Sequence, residues 1–215
     1  VNDTVDGVPV AVTFCPLCGS AIVFDRTLPD GSISTFGVSG SLLESNMIMY
    51  DRETETLWQQ STGQALAGKH FENKLNLVAF QLLTMKEVRE RFQDAKVLSR
   101  DTGHRRDYDN NPYSGYETSE AFYFAPSVTD SRYPSKAIFV AFRVDNKPIS
   151  VPFLALEDGK TYQTSAYSQA ITIEKKDGEV FIKNTDNQQV PFYYEMWFSW
   201  ATQHGKDGIV YDPAQ

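Results

Sequence analysis

The sequence predicts a mainly β fold in which an antiparallel meander forms a barrel or sandwich, with two or three short helices. Short apolar runs rich in Val, Ile and Phe recur along the chain, and these residues favour a pleated, half-buried surface. Asp-Gly pairs separate several of the runs, and this dipeptide is typical of tight β-hairpin turns. Within 215 residues, 41% hydrophobic content supports a substantial core, and no Pro- or Ser-rich linker interrupts it. We therefore expect one domain over residues 1–215.

The first two predicted strands flank the only two cysteines of the chain. Apolar residues 8–14 and 21–24 form these runs, and Cys15-Pro16-Leu17-Cys18-Gly19-Ser20 lies between them. Proline fixes its own φ and has no N–H to donate, and glycine permits strained backbone, so we expect a tight turn here. Both thiols then sit at a turn on a rigid support, where functional sites are often built.

Further strands follow the same pattern of apolar runs bounded by polar and glycine-rich turns. The clearest is a hairpin over residues 170–183, in which AITIE and EVFIK face each other across a turn at Asp177-Gly178. The other predicted strands cover residues 33–38, 47–50, 56–59, 75–83, 137–144 and 149–156.

Two segments have helical rather than strand spacing. Thr84 followed by Glu87 is a capping-box pattern and predicts a short helix over residues 85–92. Residues 192–204 carry Met196, Trp197 and Trp200 at helical spacing, which predicts a C-terminal helix that packs its aromatic side onto the sheet. Residues 101–116 are too rich in Gly, Asn, Pro and Asp for either state, so we expect a long ordered loop.

Charge and motifs exclude several classes of function. The formal net charge is −8, so the chain lacks the basic surface that nucleic-acid binding needs. The sequence contains no nucleotide-binding glycine motif and no metalloprotease or serine-hydrolase motif, so we expect no nucleotide cofactor. No apolar run approaches the roughly 18 residues of a membrane-spanning helix.

Cys15 and Cys18 have C-x-x-C spacing, which is compatible with three kinds of chemistry. The pair can be a dithiol with one acidified thiol, half of a tetrahedral metal site, or two structural thiols. A dithiol of the thioredoxin type opens a helix, whereas a strand is predicted after Cys18, and this weakens the redox interpretation. Two cysteines cannot supply a four-cysteine zinc site, so a metal would need other ligands.

The candidate additional metal ligands are Met49 and His104. Met47 and Met49 lie two residues apart, so on a strand they share a face. Thiolate, thioether and imidazole together suit copper, with zinc as the alternative ion. Each methionine is also a common filler of core gaps, and that simpler interpretation stays open.

A basic and aromatic cluster lies in the predicted loop over residues 101–116. Arg105 and Arg106 follow His104 directly, and Tyr108 and Tyr113 come shortly after. These four residues are the candidate substrate-binding groups, with the arginines suited to an anion. The alternative is that they fix the loop through hydrogen bonds and an arginine–carboxylate pair.

Four stretches resemble the signature blocks of the domain-of-unknown-function family 3179, in the same order: TFCPLCGSAIVFDR, FGVSGSLLESNMIMYDRETETLWQQ, VLSRDTGHRRDYDNNPYSGY and FYYEMWFSWA. Family members continue upstream with a segment similar to WHEIVND, which implies that this chain lacks an N-terminal segment carrying a histidine. The position of Cys18 is often threonine in the family, which implies that Cys15 is the chemically important thiol. Members also resemble exported or lipid-anchored proteins, which implies an extracytoplasmic location.

Three functional hypotheses follow. The leading one is an exported protein that binds a soft transition metal, copper or zinc, through Cys15, Cys18, Met49 and His104. The second is a non-catalytic binding or scaffold module with a protein or glycan partner or a second copy of this chain. The third is a thiol-dependent enzyme in which Cys15 is the nucleophile and Arg105 or Arg106 binds an anionic substrate.

Overall fold

The computed structural model describes residues 1–214 and confirms the mainly β class. Its helices are α1 (Met85–Arg91), α2 (Trp197–His204) and a 3-10 helix (Phe153–Ala155). Its strands are β1 (Asn2–Val5), β2 (Val8–Cys15), β3 (Ser20–Asp25), β4 (Phe36–Leu43), β5 (Asn46–Asp51), β6 (Leu57–Gln59), β7 (Ala65–Ala67), β8 (Ile138–Val144), β9 (Lys147–Pro152), β10 (Lys160–Ala166), β11 (Gln169–Lys176), β12 (Glu179–Lys183), β13 (Phe192–Met196) and β14 (Ile209–Val210). Within this described part of the chain, no helix is long and apolar enough to cross a bilayer.

A seven-stranded sheet forms the centre of the molecule, in the order β1-β2-β3-β13-β8-β9-β14. Its neighbouring strands pair antiparallel except β14, which runs parallel to β9. Strand β13, from the C-terminal part of the chain, lies between β3 and β8. Its end is tied to the cysteine turn, because the Met196 N–H donates to the Cys18 carbonyl over 2.9 Å.

The two faces of the central sheet carry separate hydrophobic clusters, so the fold is a sandwich rather than a closed barrel. One face packs against α2 and a four-stranded sheet, β4-β5-β6-β7, through residues that include Ile22, Phe24, Phe139, Tyr193, Met49, Trp58 and Trp200. The opposite face packs against a three-stranded sheet, β10-β11-β12, through residues that include Val140, Phe142, Val151, Ile171, Ile173 and Ile182.

Two-residue turns set the register of several hairpins. Asp177 and Gly178 have φ values of 52° and 80°, which is the type I′ geometry that the sequence predicts. Glu44 and Ser45 join β4 to β5 with φ values of 50° and 62°, although neither is a glycine or asparagine. The Ser45 hydroxyl donates to the Phe124 carbonyl over 2.6 Å, which ties this turn to a distant loop.

The predicted strand over residues 75–83 is wrong. These residues form no continuous ladder, and Leu77 makes only an isolated bridge to Phe24. Their apolar side chains serve the core through packing: Phe80 lies against the rings of Phe192 and Tyr194. The backbone of this run bonds to β3 only at Asn76 and Val78, so the apolar pattern here reflects side-chain packing more than strand pairing.

Two further boundaries differ from the prediction. Residues 192–204 begin as strand β13 and become helical only at Trp197, because the first five residues pair with β8 and β3. The strand predicted over residues 149–156 ends at Pro152 and continues as the 3-10 helix. The capping box of α1 is confirmed, since the Thr84 side chain accepts from the Glu87 N–H and the Glu87 side chain accepts from the Thr84 N–H.

Shortening a side chain on the β10-β11-β12 side tests the layered arrangement. Ile173 is fully buried in that cluster, so Ile173→Ala should lower the free energy of unfolding by about 2 to 5 kcal/mol. Thr172→Ala, one residue earlier on β11 and only half-buried, is the matched control and should change it by less than about 1 kcal/mol. Chemical denaturation measures both. Equal losses in the two variants would contradict this packing.

Candidate active site at the cysteine turn

The turn between β2 and β3 holds the two cysteines against the end of β13. Cys15 is the last residue of β2 and pairs with Ser20, the first residue of β3. Gly19 has a φ of +58°, and a Cβ at this position would lie 2.9 Å from Cγ of Met196. Only glycine fits such a close approach without displacing Met196. The turn is therefore fixed by the strand beside it as well as by its own sequence.

Cys15 is buried but surrounded by hydrogen-bond donors. Its side chain is reduced, and the residue is 2% exposed. The Cys18 thiol donates to the Cys15 sulfur, as do the backbone N–H groups of Cys18, Met47 and Leu17, and together they lower the pKa of Cys15 to about 6 although burial opposes the charge. Met47 belongs to β5, so donors from two different sheets meet at one sulfur. These donors favour the thiolate form of Cys15, whose sulfur also lies 3.8 Å from the Ser45 carbonyl.

Cys18 has the opposite character. Burial raises the pKa of the Cys18 thiol well above its usual value, and the neighbouring Cys15 thiolate raises it further. The Asn46 amide donates to the Cys18 sulfur over 3.0 Å, and the Ser20 hydroxyl lies 3.0 Å from it. These two hydrogen bonds lower the pKa of Cys18, but burial outweighs them, so Cys18 is the weaker acid of the pair and donates to Cys15.

A buried polar network holds this pair in place. The Gln60 side-chain oxygen accepts hydrogen bonds from Asn46 and from the Ser20 hydroxyl, and the Gln60 amide donates to Thr13 over 3.0 Å. The Asn46 oxygen accepts the backbone N–H of Ser61 over 2.9 Å. Asn46 and Gln60 are fully buried, so each lost bond would leave an unsatisfied polar group in the core. Such a satisfied network fixes one arrangement of the thiols.

Glu195 is a buried acid that sequence reasoning missed. It lies on β13, one residue beyond the pair formed by Tyr194 and Ala21, and is fully buried. Neither carboxyl oxygen has a hydrogen-bond partner of good geometry. Burial raises the pKa of Glu195 to about 8, and the charge on Cys15 contributes in the same direction. In the sequence, Glu195 is one polar residue within an aromatic stretch that predicts a helix, and this pattern does not indicate a buried acid.

The other candidate ligands lie in different surroundings. Met49 is 2% exposed within the hydrophobic cluster that contains Trp58, and it pairs with Trp58 across β5 and β6. Met47, on the same strand, is the methionine that packs against the cluster around Cys15. His104 is exposed in the loop. Over residues 1–214, no group of three or more His, Cys, Asp or Glu side chains is placed to hold a metal ion.

The candidate substrate-binding residues divide into two groups. Arg105, Arg106 and Tyr108 are exposed, and the Tyr108 hydroxyl pairs with Thr102 of the same loop over 2.7 Å. Tyr113 instead packs, partly buried, against the cluster that contains Cys15 and Cys18. The structure therefore brings only Tyr113 of these four to the thiols.

The loop that contains Tyr113 forms a cover over the cysteine turn. We call residues 113–123 the cover segment; its Phe122 packs on the Cys15 cluster, and its Tyr116 hydroxyl donates to the Leu17 carbonyl over 2.9 Å. Lys136 holds the segment through hydrogen bonds to two of its carbonyl groups and by lying 3.5 Å from the Tyr116 ring centre. A cavity of about 240 Å³ lies within the segment, lined by Ser114, Gly115, Tyr116, Ser119, Ala121, Phe122 and Tyr123.

Fold and site together define a β-sandwich protein with a buried, acidified thiol in a hairpin turn. The family model described as "Protein of unknown function (DUF3179)" matches residues 1–190, which confirms the resemblance seen in the sequence. The chain belongs to this family. No curated protein and no solved structure matches it.

Replacing Cys18 tests whether its thiol donates a hydrogen bond to Cys15 or only fills space beside it. Cys18→Ala removes the thiol that donates to Cys15, so the pKa of Cys15 should rise by about 1 to 2. Cys18→Ser keeps a donor of similar size and should leave the pKa of Cys15 low. The ultraviolet absorbance of the Cys15 thiolate, followed against pH, measures both values. A rise of equal size in the two variants would show that Cys18 does not act as a donor.

Proposed function

We propose that this protein is a thiol-dependent enzyme in which Cys15 is the nucleophile. The observation that carries the proposal is the set of donors at one sulfur: the Cys18 thiol and the N–H groups of Cys18, Met47 and Leu17. A thiolate, not a thiol, attacks electrophiles, and a cysteine with a lowered pKa supplies it at neutral pH. A structural cysteine in an apolar core needs no such arrangement, because burial alone keeps it protonated.

The helix that a dithiol of the thioredoxin type uses is replaced here by turn and strand backbone. In that class the N-terminus of a helix presents unpaired N–H groups to the reactive sulfur. Here Leu17 and Cys18 of the turn and Met47 of β5 supply them instead. Three convergent N–H groups stabilise an anion in the same way, whichever element they belong to.

Substrate would reach Cys15 past the cover segment. Cys15 is 2% exposed, and Tyr113 and Phe122 pack over its cluster. Surface loops are more mobile than the strands they cover, and displacement of these two rings would open a path from the cavity to the sulfur. The electrophile would then meet a thiolate already formed in a dry environment.

Binding of copper or zinc stays a prediction, as does export. Two sulfur atoms lie together at the turn, and Met47 packs beside them, which is a soft environment for an ion. Met49 and His104, the other ligands expected from sequence, lie in the hydrophobic core and on the exposed loop. The donor geometry at Cys15 therefore supports a nucleophile more directly than it supports a metal centre.

Alkylation with iodoacetamide tests the nucleophile. At pH 7 Cys15 should react before Cys18, with a rate that rises through an apparent pKa of about 6, because Cys15 is then largely a thiolate and Cys18 is a thiol. Mass spectrometry of the whole chain gives the rate, and peptide mapping gives the site. Cys15→Ser should abolish the fast phase.

A parallel sample treated with a chelator separates this function from metal binding. Equal labelling with and without chelator supports a free nucleophile. Labelling that requires the chelator, together with about one equivalent of copper or zinc lost in Cys15→Ser, would favour the metal site instead. Labelling of both cysteines only above pH 8 would contradict an activated Cys15.

Trimming the cover segment should expose the thiolate. Tyr113→Ala removes a ring that packs on the Cys15 cluster, so alkylation at pH 7 should accelerate roughly five- to tenfold without a change in apparent pKa. Tyr108→Ala, an exposed tyrosine of the same loop, is the matched control and should leave the rate unchanged. Equal acceleration in both variants, or none in Tyr113→Ala, would show that this segment does not limit access.

A further inference from the structure

Glu195 shares an inner face of the central sheet with the thiol site. Side chains alternate along β13, so Glu195 projects to the same side as Tyr193, which belongs to the cluster with Ile22 of β3. The pair Tyr194 and Ala21 sets the antiparallel register of β13 on β3. The adjacent positions on the two strands are therefore Glu195 and Ser20. Ser20 in turn pairs with Cys15, so three adjacent strands carry the carboxyl, the hydroxyl and the thiol.

The groups around the Glu195 carboxyl do not compensate for its burial: the Ser199 and Tyr193 hydroxyls lower its pKa, but burial raises it by more. Arg143, whose charge lowers the pKa of Glu195, donates its hydrogen bond to the Thr62 carbonyl. The hydroxyl group of Ser199, at the first turn of α2, is likewise buried without a well-formed bond. A buried carboxyl group without a well-formed hydrogen bond is destabilising relative to an apolar residue, and a strongly perturbed buried acid is a candidate for a functional role.

We propose that Glu195 holds the proton that Cys15 gives up and delivers it to the leaving group during the reaction. This inference rests on the proposed function, because it assigns a partner to the same nucleophile. Glu195 lies in the same interior as Cys15, and a negative charge on Cys15 raises the pKa of Glu195 further, although less than burial does. The resting pair is a thiolate and a neutral carboxylic acid.

The proton and electron balance is simple for a disulfide or thioester substrate. In the resting state the S–H bond of Cys15 has been broken and an O–H bond formed on Glu195. The sulfur electron pair then forms a bond to the electrophilic sulfur or carbonyl carbon, and the bond to the departing thiolate breaks. The departing thiolate takes the proton from Glu195, which is left as a carboxylate. A basic leaving group gains most from this step.

The groups that set the charge of Glu195 come from each neighbouring element. Burial, and to a smaller extent the charge of Cys15 of β2, raises its pKa, whereas the hydroxyls of Ser199 and Tyr193 and the charge of Arg143 of β8 lower it. The unfolded chain releases this proton near the ordinary glutamate pKa of about 4.3 and the folded chain near 8, so stability falls as pH rises between these values. Glu195→Gln should lack this contribution and gain stability relative to the wild type above pH 8.

Two disulfide probes test proton delivery. Glu195→Gln is nearly isosteric and should slow the reaction of Cys15 with hydroxyethyl disulfide, whose leaving thiolate is basic, by about tenfold or more. The same variant should react with dithiodipyridine at nearly the wild-type rate, because that leaving group needs no proton. Glu90→Gln, an exposed carboxylate on α1, is the matched control and should change neither rate.

Each result decides the inference. Slowing with hydroxyethyl disulfide alone supports proton delivery, whereas equal slowing with both probes shows a structural role and overturns it. Unchanged rates with both probes also overturn it while leaving the nucleophile intact. Failure of wild-type Cys15 to react with either probe refutes the proposed function itself.

If Glu195→Gln does not fold, a measurement on the wild-type protein tests the same inference. Alkylation of Cys15 removes the negative charge near Glu195. The infrared band of the protonated Glu195 carboxyl group should therefore change when this reaction is carried out near neutral pH. Absence of such a band before and after alkylation would overturn the inference.

Discussion

The candidate site depends on hydrogen-bond donors that converge on the Cys15 sulfur, which has almost no contact with solvent. Cys15 is 2% exposed, and burial alone would keep its proton in place. The Cys18 thiol and three backbone N–H groups oppose this effect of burial and lower the pKa of Cys15 to about 6. One of these groups belongs to Met47 of β5, so the four-stranded sheet must pack on the central sheet in a single register for the donors to meet. The site is in this sense a product of the sandwich, not of the cysteine turn alone.

The insertion of β13 into the central sheet supplies the second constraint. This strand joins β3 to β8, presses Met196 against Gly19, and buries Glu195 near the thiols. A buried thiolate and a buried carboxylate repel each other, so the interior favours one negative charge over two. Burial keeps Cys18 as the more weakly acidic thiol, while the network of Asn46 and Gln60 fixes its position. Two cysteines of the same intrinsic acidity thereby differ in pKa within one core.

Local signals predicted the parts of the site that depend on local chemistry. The apolar runs around Cys15 and Cys18, the type I′ turn at Gly178 and the capping box at Thr84 follow from residue types at short spacing, and the structure contains all of them. Long-range pairing was not predictable in this way. The β-branched and aromatic residues of 75–83 and 192–196 are compatible with strand, helix or packed coil, and tertiary contacts decide between them. The donors Met47 and Asn46 and the acid Glu195 come from distant segments, so no spacing rule could connect them to Cys15.

The most direct test of this account is the ionisation of the two cysteines in the wild-type protein. Nuclear magnetic resonance of ¹³Cβ-labelled cysteine reports the charge of each sulfur separately as the pH is varied. The account predicts that the Cys15 signal titrates near pH 6 while the Cys18 signal stays that of a thiol to above pH 9. Titration of both signals together near the ordinary thiol pKa of about 8.5 would contradict it, because the donors would then fail to hold a thiolate.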